Sequence, residues 1–174
     1  MNSLNRYNKF QMFLHWVTAA GVVFLLFTGV FFLEPLANQD PAKVAKLQIH
    51  AMVGAAVLLL TITRLIWALV SAQPVQSDSG RSMASSVAKF APKVLNGLVL
   101  ILALSGVLMG LYSGLFDLLI NDGGTLPSDF SGPARTVHAV SSKLLIAAVC
   151  IHVVAAIVHQ VIFKHRVFER ILPI

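Results

Sequence analysis

Four long apolar stretches, at residues 11–33, 47–70, 94–116 and 137–163, decide what this chain can fold into. Each reaches the ~20 residues needed to cross a hydrocarbon core. In lipid every backbone N–H and C=O must be paired within the protein, and a helix does this segment by segment. The expected fold is therefore all-α: an integral membrane four-helix bundle, one domain over residues 1–174. Composition agrees, with 11% charged and 57% apolar residues, against about a quarter charged in soluble domains. Arg6 and Lys9 resemble the basic start of a signal peptide. The apolar run that follows exceeds the ~7–15 residues of such a segment and ends without an A-x-A site, so a retained first helix is expected. The single Cys150 excludes an intrachain disulfide.

Charge sets the expected orientation. The N-terminus, the second loop with its flanks (Arg64 to Lys93) and the C-terminus together carry nine basic residues against two acidic ones. The other side carries four basic against five acidic. The basic side is expected in the cytoplasm, with both termini there. The high pI then reflects topology and lipid contact, and no nucleic-acid partner is implied. Between the spans, LANQDPAK (36–43) is a short turn with a helix restart at Asp40-Pro41. QPVQSDSGRSMASS (73–86) is a polar inner loop, and NDGGTLPSDFSGP (121–133) an outer loop in which Ser131 is placed to cap the fourth helix and Pro133 to open it.

The six histidines, His15, His50, His138, His152, His159 and His165, all lie in or beside the first, second and fourth spans. Ionisable groups in a membrane are costly and are candidates for function. His138 and His152 are 14 residues apart, which puts them within about 40° around the helix and about 21 Å apart along it. His50 stands level with His138 near the outer end. His15, near the inner end, stands close to the level of both His152 and His159. Two imidazole pairs at two depths suit two bis-histidine haems held upright between helices. A single zinc site would need its ligands in one coordination sphere, which two levels so far apart exclude. A proton relay lacks intramembrane acids. Gly54, one turn after His50, and Ala148, Ala155 and Ala156 around His152 would let a flat ring approach the backbone. Gly106, Gly110 and Gly114 of the third span read as ordinary helix packing.

Tyr7, Leu14-His15-Trp16, Ile49-His50 with Gly54, and Val137-His138 with His152 and His159 together resemble the bacterial cytochrome b561 family, over nearly the whole chain. The resemblance implies a multi-pass inner-membrane protein with two haems b, the inner one on His15 and His152 and the outer one on His50 and His138. It also implies a superoxide oxidase activity, with electrons from periplasmic superoxide crossing both haems to reduce ubiquinone. The family pattern has histidines just before the third span, where this chain has Lys89 and Pro92. For the quinone, His159 at the inner surface, with Trp16 and Lys164, is the expected surrounding. Lys46, Arg135 and Lys143 lie near the outer histidines and would pair with haem propionates or draw a small anion inward. A rival reading is a haem-bearing membrane anchor that exchanges electrons between quinone and a hydrogenase- or dehydrogenase-like partner. The main reading requires no partner protein. A non-redox transporter would be colourless.

Overall fold

Helix α1 begins where Asn8 and Gln11 cap each other: Asn8 Oδ1 accepts from Gln11 N–H at 2.8 Å, and Gln11 Oε1 accepts from Asn8 N–H at 3.3 Å. It runs over Lys9–Thr28 and continues as one π-helical stretch, Gly29–Leu33. α2 spans Pro41–Val70, opened by Asp40 as N-cap and Pro41 in its first turn. α3 covers Met83–Tyr112, α4 Leu115–Ile120, α5 Pro133–Val161 and α6 Val167–Ile171. The computed structural model describes residues 6–71, 83–112, 114–120, 126, 132–164 and 166–172, with side chains for all of these except 83–89, 115, 118 and 119. The expected cap Ser131, most of both long loops and His165 lie outside the described residues. No strand occurs among those described.

Four of the helical stretches are long and apolar enough to cross a membrane, as the sequence requires. Their ends differ from the hydropathy boundaries. α2 starts at Pro41 rather than near 47, because a good cap and a first-turn proline begin a helix before its apolar face does. α3 starts at Met83, inside the stretch read as loop, and carries Pro92 within it. Ala84, Ala88 and Lys89 favour helix in this lead-in, which has no apolar run for hydropathy to mark. It stops at Tyr112 rather than 116, where Gly114 turns the chain with φ +66°. α5 opens at Pro133, as expected for a proline in the first turn.

Neighbouring helices pack in chain order: α1 on α2, α2 on α3, and α3 on α5. The core joins all four spans through Val22, Leu25, Val57, Val99 and Leu145. α1 and α2 approach so closely that a Cβ on Gly21 would stand 2.6 Å from Val57 Cγ2. Gln11 Nε2 ties the start of α1 to Ser71 Oγ past the end of α2 at 2.7 Å. α6 folds back across the N-terminus. Tyr7 N–H donates to Arg170 C=O (3.2 Å), Arg6 Nη2 to Leu172 C=O (2.7 Å) and Trp16 Nε1 to Ile171 C=O (3.0 Å). The first and last described residues therefore meet at one end of the bundle.

Candidate functional site

On α2, His50, Gly54, Val57, Thr61 and Arg64 recur at intervals of four, three, four and three residues, so they form one stripe. On α5 the matching stripe is His138, Ser141, Leu145, Ala148 and His152. Its middle members face inward: Val57, Thr61, Ser141 and Leu145 are all buried. The apolar core cluster thus forms a dry layer between two polar ones. The outer layer holds His50 and His138. The inner layer holds His15, His152 and Arg64.

In the outer layer the His50 and His138 ring centroids are 6.4 Å apart, inclined by 62°. His138 Nδ1 lies 3.1 Å from Ser105 Oγ of α3, and Ser105 donates its own proton to Leu102 C=O at 2.8 Å. The serine oxygen is therefore an acceptor toward the ring. In the tautomer with its hydrogen on Nδ1, His138 donates to this oxygen and keeps the Nε2 lone pair for a metal. Glycines meet both rings: a Cβ on Gly106 would stand 3.4 Å from His138 Cε1, and one on Gly29 would stand 3.7 Å from His50 Cε1. Gly29 reaches that place at the first residue of the π-helical stretch, a local widening often found at functional positions. His50 Nδ1 is buried with no hydrogen-bond partner among the described residues.

In the inner layer His152 of α5 is within electrostatic reach of His15, and Arg64 of α2 reaches both. Tyr7 lies within reach of Arg64 as well. The His15 ring meets Trp16 edge-on at 5.4 Å. His159 sits about 10 Å further down the same face of α5, with Phe163 beside its ring at 5.3 Å. Among the described residues, no three His, Cys, Asp or Glu side chains converge to hold a bare metal ion.

The sequence profile of prokaryotic cytochrome b561 matches residues 6–173. The chain belongs to the prokaryotic cytochrome b561 family. It is therefore a multi-pass inner-membrane protein, and a haem b electron-transfer protein. No curated protein is similar enough to count as a match. The outer pair fits the family's cofactor. Two imidazoles on one iron place their ring centres about 6 Å apart, with metal–nitrogen bonds of ~2 Å and each ring centre ~1 Å behind its nitrogen. The Ser105 contact at His138 Nδ1 and the open space beside Gly54, with nothing within 4 Å of where a Cβ would stand, fit a flat ligand.

The other residues expected at the site separate in this cytochrome b561 fold. Lys46 Nζ lies 5.8 Å from the centre of the Phe32 ring, about 40° around α2 from His50. Arg135 is within electrostatic reach of His138 and Lys43. Lys143 is exposed and about 140° around α5 from His138, so it faces away from the histidine stripe. Trp16 lines a groove of about 380 Å³ with Lys9, Met12, Phe13, Val17 and Leu172. His159 lines a different one, also about 380 Å³, with Cys150, Ile151, Val154, Ala155 and Val158. Lys164 is exposed with φ +54° just past α5. The two quinone candidates thus line separate grooves.

Three residues escaped the sequence reading. Ser105 and Gly106 lie on the one span without histidine, and nothing in their own pattern marks them. Gly106, read as packing, does pack, but against an imidazole. Arg64, counted among the loop-flanking charges, faces the bundle interior. The 14-residue interval from His50 to Arg64 equals that from His138 to His152, and it was the available signal.

Proposed function

We propose that His50 with His138, and His15 with His152, are the axial ligands of two haems b, and that the chain carries electrons from superoxide on its outer side to ubiquinone on its inner side. The observation that carries this reading is the outer pair, two imidazoles from α2 and α5 with ring centroids 6.4 Å apart. When bound, the haems supply reversible one-electron storage. The reaction balances: two superoxide anions yield two O₂ and two electrons, and one ubiquinone takes both electrons and two protons to become ubiquinol.

The protein's own residues supply the rest. The core of Val22, Leu25, Val57, Val99 and Leu145 keeps water out between the two layers. Lys46 and Arg135 flank the outer histidines, where they offset propionate charge and raise the local concentration of a small anion. The charge bias of the loops supports the outer layer facing the periplasm. At the inner end, His159 is able to hydrogen-bond a quinone carbonyl and pass protons, with Lys164 nearby, and Trp16 walls the second groove.

Reduced-minus-oxidised spectra of purified His138→Ala and His152→Ala variants test the ligands. Each should lose one low-spin haem, and retention of both in both variants would sink the assignment. Stopped-flow mixing of superoxide with the protein and a soluble ubiquinone tests the reaction. Haem reduction without quinol formation would leave only the electron carrier.

A further inference from the structure

Arg64 stands where a chain like this should not place a charge. It lies six residues before the end of a membrane-spanning helix, on the stripe that carries His50, and it is half-buried. Burying a cation costs several kcal/mol unless an anion answers it. The groups around it are the imidazoles of His15 and His152 and the phenol of Tyr7, and none of these is a carboxylate. The ion pair found among the described residues joins Arg166 to Glu169 instead. No carboxylate among the described residues answers Arg64 at the depth of the inner histidines. A haem b brings two carboxylates to that depth, and a forked guanidinium is the side chain best shaped to hold one by two parallel hydrogen bonds.

We propose that Arg64 is the counter-cation of the inner haem, pairing with one of its propionates and holding its reduction potential above what the two imidazoles alone would set. The inference rests on the reading that His15 and His152 hold a haem. It follows from position: the outer layer has histidine on α2 and α5, whereas the inner layer takes its α1 ligand from His15, which frees the α2 place for a charge. Reduction removes one positive charge from the haem. A fixed cation nearby therefore favours the reduced form, and the effect is strong in a dry bundle. Arg64 acts through the propionate and is a positioning residue. The consequence is directional: a raised inner potential draws electrons from the outer layer toward the quinone side.

Spectroelectrochemical titration of the purified two-haem protein tests this. In Arg64→Gln one of two components should move to lower potential while the other stays, and Arg64→Lys should restore most of the shift. Loss of one haem in Arg64→Gln that Arg64→Lys prevents would equally support the pairing. Two components unmoved in Arg64→Gln, with both haems present, would overturn it. If the glutamine variant does not accumulate, the wild-type chain carries the test. Redox-difference infrared spectra across the inner component should contain guanidinium bands that move on ¹⁵N-arginine labelling, and their absence would overturn the proposal. Failure of the underlying haem reading looks different: His152→Ala would keep both haems, whatever Arg64 does.

Discussion

Replacing Ser105 by alanine tests the outer layer through a residue that touches no iron. Ser105 Oγ donates to Leu102 C=O at 2.8 Å and lies 3.1 Å from His138 Nδ1, placed to accept the hydrogen of the Nδ1–H tautomer. Ser105 is buried, so water does not replace the lost hydroxyl freely. One such hydrogen bond is worth about 1 kcal/mol, a factor of about five in ligand affinity. That lies below the ~10–100-fold of larger losses behind a metal ligand. A less polarised imidazole is a weaker donor to ferric iron, so the potential of the outer haem rises. If half or all of that 1 kcal/mol separates the two oxidation states, the rise is about 20–40 mV, at 59 mV per tenfold for one electron. Spectroelectrochemical titration would show one component moving up and the other fixed. A downward shift, or an unmoved outer component in a variant with both haems, would refute the hydrogen-bond direction argued here.

Two further substitutions probe the scaffold. Gly21→Ala places a methyl 2.6 Å from Val57 Cγ2, so α1 and α2 must part by roughly 1 Å at a cost of about 1–3 kcal/mol. Thermal unfolding in detergent should show the loss, and Val57→Ala in the same chain should recover most of it. Lys43→Met removes the ammonium that donates to Leu36 C=O (2.6 Å) and Asn38 Oδ1 (3.0 Å). Asn38 C=O in turn accepts Leu126 N–H at 3.1 Å, so losing about 1.5–3 kcal/mol of charge-assisted bonding should free the outer connector. Faster proteolysis there, with both haems retained, is the expected result.

The spans were legible in the sequence because lipid allows few solutions, and the histidine levels because 14 residues nearly close four helical turns. Helix ends were less so. Asp40-Pro41 was read as a restart, yet the span was begun at 47, since hydropathy sees the membrane and not the cap. The π-helical stretch at Gly29 has no hydropathy signature, and it brings α1 to the His50 ring. Ser105 and Gly106 show the larger limit. A residue that supports a ligand from another helix is defined by packing, and one-helix periodicity cannot reveal it.

Arg6 and Leu172, joined by a hydrogen bond across 166 positions, have a consequence for biosynthesis. Ribosomes add about 5–20 residues per second, so the first of these residues is made some ten to thirty seconds before the second. The clasp over the inner end, with Trp16 and Tyr7 held by α6, forms only once translation is nearly finished. The outer layer needs no residue beyond His138 and is complete earlier. Maturation of this cytochrome should therefore have an order in time, with its outer end assembled while the inner end still stands open.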